Sequence, residues 1–166
     1  SSDLTKQGAN TLTLSGSNDY SGATTVDAGT LQAGAAGGFS ANSAYTLNGT
    51  SVLDVNDLTT TVGSIASASG TATITLGSGT LTAGGDDSST SYDGDITGSG
   101  GLTKAGSGTL TLASATAYTG TTTIDDGEIE LGDAGAISSV VVMDMNAGDV
   151  SVLDLQNFTE IGRAHV

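Results

Sequence analysis

The sequence predicts an all-β fold built as a solenoid of stacked coils. Three observations carry that expectation: short apolar runs alternate with polar residues at period two, a long segment of the chain recurs without a gap, and the composition is rich in turn residues and free of proline. Alternation at period two places every second side chain on one face of a strand. A single unit of strand, turn and strand is too small to bury that face, whereas stacked copies bury it against each other.

The strands can be read off in order. Leu12 and Leu14 flank Thr13, Leu53 and Val55 flank Asp54, and Ile74 and Leu76 flank Thr75. Leu110 and Leu112 flank Thr111 in the same way, and Leu153 and Leu155 flank Asp154. Each run is about four to seven residues long and ends in a Gly, Asn or Ser-rich turn. The absence of Pro fits strands paired on both sides, where a missing N–H would break a ladder.

Residues 4–34, LTKQGANTLTLSGSNDYSGATTVDAGTLQAG, return as residues 102–132, LTKAGSGTLTLASATAYTGTTTIDDGEIELG, displaced by 98 positions with nearly half of the positions identical. Further on, SVLDVNDLTTTVGSI from Ser51 returns as SVLDLQNFTEIGRA from Ser151, displaced by 100, which places a two-residue insertion near Gly148. The chain is therefore expected to form one β-helix segment over residues 1–160, with repeat copies at 4–100 and 102–160, the second incomplete. Short strands with regular turns also suit a sandwich or barrel. Tandem repetition of a long unit favours the solenoid, because equivalent residues would then lie above one another in ladders. At roughly twenty-odd residues per coil the chain makes about seven coils, a rod about 34 Å long at about 4.8 Å per strand.

Composition excludes several function classes. With 18 acidic against 3 basic residues, the chain of 166 residues carries a formal charge of −15. Nucleic acid and anionic membrane surfaces both need a basic patch, so neither is an expected partner. The acidity reads as a solvated, self-repelling surface that keeps a β-rich protein soluble. There is no Cys, which removes disulfides and thiolate metal sites. The opening SSDLTKQG has neither the basic start nor the apolar run of an export signal, and no stretch reaches the length of a membrane helix.

The segment GSGGLTKAGSGTLTLASATAYTGTTTIDDGEIELG closely resembles the autotransporter-associated β-strand repeat of type V secretion passenger domains. LDVNDLTTTVGSIASASGTATITLGSGTLT is similar to its companion segment, and the likeness extends to about Glu160. The first copy has AAGGFS where the second has DAGAIS, a mild departure. The resemblance implies a right-handed parallel β-helix acting as a stalk on the cell surface of a Gram-negative bacterium, exported through a C-terminal outer-membrane barrel. It implies a scaffold without catalytic, metal or cofactor residues. Expected partners are a host or neighbouring-cell surface, a glycan, or further copies meeting at uncapped solenoid ends, whose terminal coils would otherwise fray.

Polysaccharide-active β-helices gather paired carboxylates, and the candidates are Asp86 with Asp87, Asp93 with Asp95, and Asp125 with Asp126. All sit in or beside Gly and Ser-rich turns, where Asp bonds to local backbone, and no basic residue stands nearby to bind an acidic sugar. GGDDSSTSYDGD lacks the spacing of a calcium-binding nonapeptide, leaving only weak surface binding at Asp86, Asp87, Asp93 and Asp95. Lys6 and Lys104 are repeat equivalents, as are Tyr20 and Tyr118. The lysines are expected to cover a coil edge or pair with a carboxylate, the tyrosines to cap a turn. A ligand-binding solenoid, with ice on a Thr-x-Thr ladder or a glycan as its target, is the alternative function, and the motif starts at Thr11, Thr59, Thr73, Thr80, Thr109 and Thr121. The intervals between those starts differ several-fold along the chain, which reads as irregular.

The periodicity breaks near Thr159, where the second copy runs into EIGRAHV. Residues 161–166, IGRAHV, match the translation of a common sequencing adapter and are expected to be a non-native tail on a truncated gene. That tail holds the single Arg, Arg163, and the single His, His165. A histidine-based enzyme is therefore not expected.

Overall fold

A computed structural model describes residues 2–67, 70–137, 140–143 and 151–156. Among these residues every regular element is a strand and none is a helix. The first coil holds β1 (Leu4–Lys6) and β2 (Thr11–Leu14), the second β3 (Thr24–Val26) and β4 (Thr30–Ala33). Three strands per coil follow: β5 (Ala44–Leu47), β6 (Val52–Asp54) and β7 (Thr59–Thr61), then β8 (Ser64–Ala66), β9 (Thr73–Thr75) and β10 (Thr80–Ala83). The fifth coil carries β11 (Thr90–Tyr92), β12 (Asp95–Gly98) and β13 (Gly101–Lys104), and the sixth β14 (Thr109–Leu112), β15 (Ala117–Tyr118) and β16 (Thr122–Ile124). The seventh has β17 (Gly127–Leu131) and β18 (Val141–Met143), and β19 (Ser151–Asp154) opens the next.

Stacking these coils gives a rod with three faces. On the first, β1-β3-β5-β8 is continued by β11-β14-β17-β19 through a parallel bridge between Ser67 and Tyr92. The second face is β2-β4-β6-β9-β12-β15 and the third β7-β10-β13-β16-β18. The protein is thus a parallel β-solenoid of about seven coils, as the sequence predicts. The two-residue insertion expected near Gly148 lies outside the described residues, as do residues 161–166.

One expectation is corrected. The strands β1 and β2 lie on the first and second faces, but their repeat equivalents β13 and β14 lie on the third and first. The sequence repeat therefore carries the chain through four coils and two thirds of a fifth, and equivalent residues do not stack. True ladder neighbours are one coil apart: Thr59 pairs with Thr80, Thr80 with Gly101, and Leu102 with Thr122. The reason is geometric. A repeat needs only a whole number of strand-and-corner steps to keep every apolar residue inside, and it need not close a whole number of coils.

Inside the rod the apolar residues form continuous ladders. Leu31, Leu53, Ile74 and Ile96 are consecutive register partners on the second face, and all are 0% exposed. Burying each of these side chains is worth about 1.5–3 kcal/mol. Leu12 begins the same ladder yet is 37% exposed, because no described coil lies beneath it. At the corner between the second and third faces, Gly79, Gly100 and Gly120 stack in a column. A Cβ on Gly100 would lie 1.8 Å from the Gly79 carbonyl oxygen, so the backbones approach closer than any side chain permits.

Candidate functional site

The most chemically distinctive side chains are the two equivalent lysines. Lys6 ends β1 and Lys104 ends β13, and both point into the rod with 5% and 1% exposure. The Lys104 Nζ donates to the carbonyls of Ala105 and Gly106, both at 2.6 Å, and to Asp126 O at 3.4 Å. Lys6 Nζ donates to Gln7 O at 3.1 Å, Gly8 O at 2.6 Å and Ala28 O at 2.9 Å. In each case two acceptors belong to the corner after the lysine and the third to the corner one coil above. The ammonium thus bonds to backbone carbonyls and ties adjacent coils together.

Glycines make room for this arrangement. Gly127 has a φ of +71°, and a Cβ there would meet Gly106 O at 2.4 Å and Lys104 Nζ at 3.0 Å. Burial pushes the Lys104 pKa below the ordinary lysine value, while the carboxylates of Asp126, Asp87 and Asp86 pull it the other way.

The candidate aspartates are engaged with the same corners. Asp86 accepts from Ser64 Oγ at 2.7 Å and Ser88 N at 3.1 Å. Asp87 Oδ1 accepts from Ser107 N at 2.8 Å and Ser107 Oγ at 3.1 Å, one coil on. Those two bonds, with the Lys104 charge, hold its carboxyl below the ordinary value of 3.8. Asp57 grips Ser78 in the same manner, at 2.7 and 3.1 Å. Asp93 accepts from the Ser114 hydroxyl and Asp126 from Gly127 N at 2.7 Å.

Asp95 is half-buried on β12, with its Oδ1 buried and lacking a hydrogen-bond partner, and Asp125 is exposed at a corner. Contrary to the expectation that no basic residue stands near the candidate carboxylates, the fold gathers Asp86, Asp87 and Asp126 around Lys104, and it places Asp93 and Asp95 elsewhere. Among the described residues, no three Asp, Glu, His or Cys side chains are arranged to hold a metal ion. Arg163 and His165 lie outside the described residues.

The tyrosines serve the corners between faces. Tyr20 Oη shares hydrogen bonds with Thr24 Oγ1 at 2.9 Å and Tyr45 Oη at 3.2 Å, and Tyr118 Oη bonds Thr122 Oγ1. Both repeat equivalents therefore span one corner, four residues on. Sequence reasoning missed Tyr45 and Tyr92, each 1% exposed. Tyr45 Oη accepts from Ser40 N at 3.0 Å, and Tyr92 Oη donates to Asp95 O at 3.2 Å. Burial raises the pKa of both phenols.

The three outer faces differ in chemistry. On the first, a shallow groove runs over Ser91, Thr111, Glu130 and Asp154, which are successive register partners. Two of its threonines are tied down: Thr109 donates to Glu128 at 3.2 Å and Thr111 to Glu130 at 3.1 Å. On the second, Thr13 donates to Gln32 at 3.1 Å and Gln32 to Asp54 at 2.9 Å.

The third face carries two ranks of threonine. In one, Thr59 and Thr80 are followed by Gly101 and, one coil higher, Thr121. In the other, Thr61, Thr82, Thr103 and Thr123 are unbroken register partners, continued by Val142. Neither rank contains a charged residue, and among the described residues none of these threonine hydroxyls has a hydrogen-bond partner in the protein. Sorted by face, the motif starts at Thr59, Thr80 and Thr121 fall in coils of the third face, with Gly101 in the place of a threonine in the coil between Thr80 and Thr121.

A rod of short parallel strands, closed at its corners by inward lysines and glycine, is the architecture of a repeat-built β-solenoid. The chain carries two passenger-associated-transport-repeats, matched at residues 4–33 and 102–131. Each match begins just before a buried lysine and ends past the glycine stacked over its corner, so the repeat unit encloses one complete lysine corner. The chain is similar to the adhesin BmaC autotransporter of Brucella suis biovar 1 (strain 1330), with 39% identity over 156 residues. That similarity takes in 90% of this chain and 5% of the relative's length. No solved structure matches.

Proposed function

We propose that this chain is a scaffold segment of an exported, adhesin-type passenger, standing on the outer surface of a bacterial cell without a catalytic role of its own. The observation that carries this reading is the use made of the polar side chains. Lys6, Lys104, Asp57, Asp86 and Asp87 are engaged in joining one corner to the next. A hydrolase or lyase needs carboxylates free to exchange protons with substrate, whereas these hold the coils in register. The similarity to an autotransporter adhesin supports export and surface display, with a host or neighbouring-cell surface as the partner of the whole passenger.

A segment swap tests the reading. The relative's matching region is replaced by this chain in a surface-displayed passenger, and surface exposure and cell adhesion are measured together. A scaffold preserves both. Normal display with lost adhesion would show that the native segment contacts the receptor directly, and release of reducing ends from a polysaccharide panel by the isolated chain would show an enzyme.

A further inference from the structure

We propose that the third face is an ice-binding surface, recognising the crystalline lattice of water through its two threonine ranks. Parallel strands rise about 3.3 Å per residue and lie about 4.8 Å apart, so hydroxyls at i and i+2 stand about 6.6 Å apart along each strand. The two ranks thus define a two-dimensional net of hydroxyl and methyl groups whose repeats are of the size of the oxygen spacings on a face of hexagonal ice. The net is rigid, because each strand beneath it is held on both sides by its neighbours from β10 to β16.

Three observations separate this face from a merely solvated one. First, among the described residues it is the face that sets two threonine ranks side by side with every hydroxyl free of intramolecular bonds: on the second face Thr13 is held by Gln32 and the ranks run through Asp54 and Asp95, and on the first Thr109 and Thr111 are held by Glu128 and Glu130 while the unbonded Thr5, Thr25 and Thr46 form a single rank. Free hydroxyls on a fixed backbone can order a first layer of water. Second, in a chain of charge −15 no charge falls in either rank, and strongly hydrated ions are what would disrupt an ordered layer. Third, the second rank continues into Val142, 45% exposed, which keeps the branched shape and replaces hydroxyl by methyl. A protein or glycan partner would want aromatic, amide or charged anchors, and the ranks have none.

The test uses the full chain, fluorescently labelled, beside a labelled soluble control protein. Each is frozen slowly onto a cooled probe, and its fraction in the ice is measured together with thermal hysteresis. The ice fraction is expected to be enriched several-fold over the control, with a measurable hysteresis gap. Thr103→Tyr, pointing outward from the middle of the ranks, abolishes the enrichment, while Thr75→Tyr on the second face leaves it intact; circular dichroism and light scattering show both variants folded and in the parent's oligomeric state. Exclusion of the parent chain from ice overturns the proposal, as does equal loss in both folded variants. So does a Thr103→Tyr effect confined to self-association. None of these results bears on the scaffold reading, which the segment swap tests separately.

Discussion

Replacing Lys104 by Met keeps most of the side-chain stem and removes the ammonium from a closed corner. Three carbonyl oxygens then lose their donor, two of them held at 2.6 Å. A buried acceptor left without a partner costs about 1–3 kcal/mol. The third bond, at 3.4 Å, contributes little. Part of the loss is offset because the variant no longer desolvates a charge, an effect already visible in the lowered Lys104 pKa. The net expectation is a destabilisation of about 2–4 kcal/mol, a large share of the roughly 5–15 kcal/mol that holds a domain together.

Guanidinium unfolding followed by circular dichroism measures this directly, and hydrogen exchange locates it. Protection should fall most at the corners around Ala105, Gly106 and Asp126. In Lys6→Met the loss should be confined to β1 to β4, because coils interact chiefly with their nearest neighbours. If Lys104→Met unfolds at the parent's midpoint with unchanged slope, the lysine is not a tie between coils and the account of the corner is wrong.

Three further outcomes are expected. Ile74→Ala opens a cavity inside the second-face ladder and should cost about 2–5 kcal/mol by the same unfolding assay. Gly100→Ala should prevent correct stacking, given the 1.8 Å approach to Gly79 O, whereas Gly85→Ala has nothing within 4 Å and should leave the melting temperature within about a degree or two of the parent. The Asp87 carboxyl has a folded pKa below its ordinary 3.8, so its contribution is fully present above that value and is lost as pH falls through the lower folded value. Melting temperatures measured across that acid window should therefore fall less steeply for Asp87→Asn than for the parent.

Much of the fold was legible because inside and outside are written at period two. Leu53, Ile74 and Leu110 point inward as their alternation requires, and the repeat announces a stack before any strand is placed. What could not be read was phase. The sequence repeat and the coil have different lengths, so aligning Lys6 with Lys104 says that they share an environment and not that they share a face. The same confusion hid the threonine ranks: motifs at Thr11, Thr73 and Thr109 belong to other faces, and pooling them with Thr59, Thr80 and Thr121 conceals a coil-by-coil placement interrupted at Gly101. A lysine at the end of a strand reads as an edge residue or a carboxylate's partner, because a buried lysine is rare. The left-handed glycines that shape their carbonyl cage are visible in the sequence only as turn residues. Tyr45 and Tyr92 lack a repeat partner, so repetition drew no attention to them.

The most direct test of the architecture exploits the absence of cysteine from the chain. Thr82→Cys with Thr103→Cys, and separately Thr103→Cys with Thr123→Cys, place thiols on register partners of adjacent coils, at about the Cα separation a disulfide spans. Thr75→Cys with Thr103→Cys places them on different faces. On mild oxidation the account predicts intramolecular disulfides in the first two pairs and none in the third. Cross-linking of the third pair, or free thiols in the first two, would contradict a three-faced solenoid in which Thr82, Thr103 and Thr123 occupy successive coils of one face.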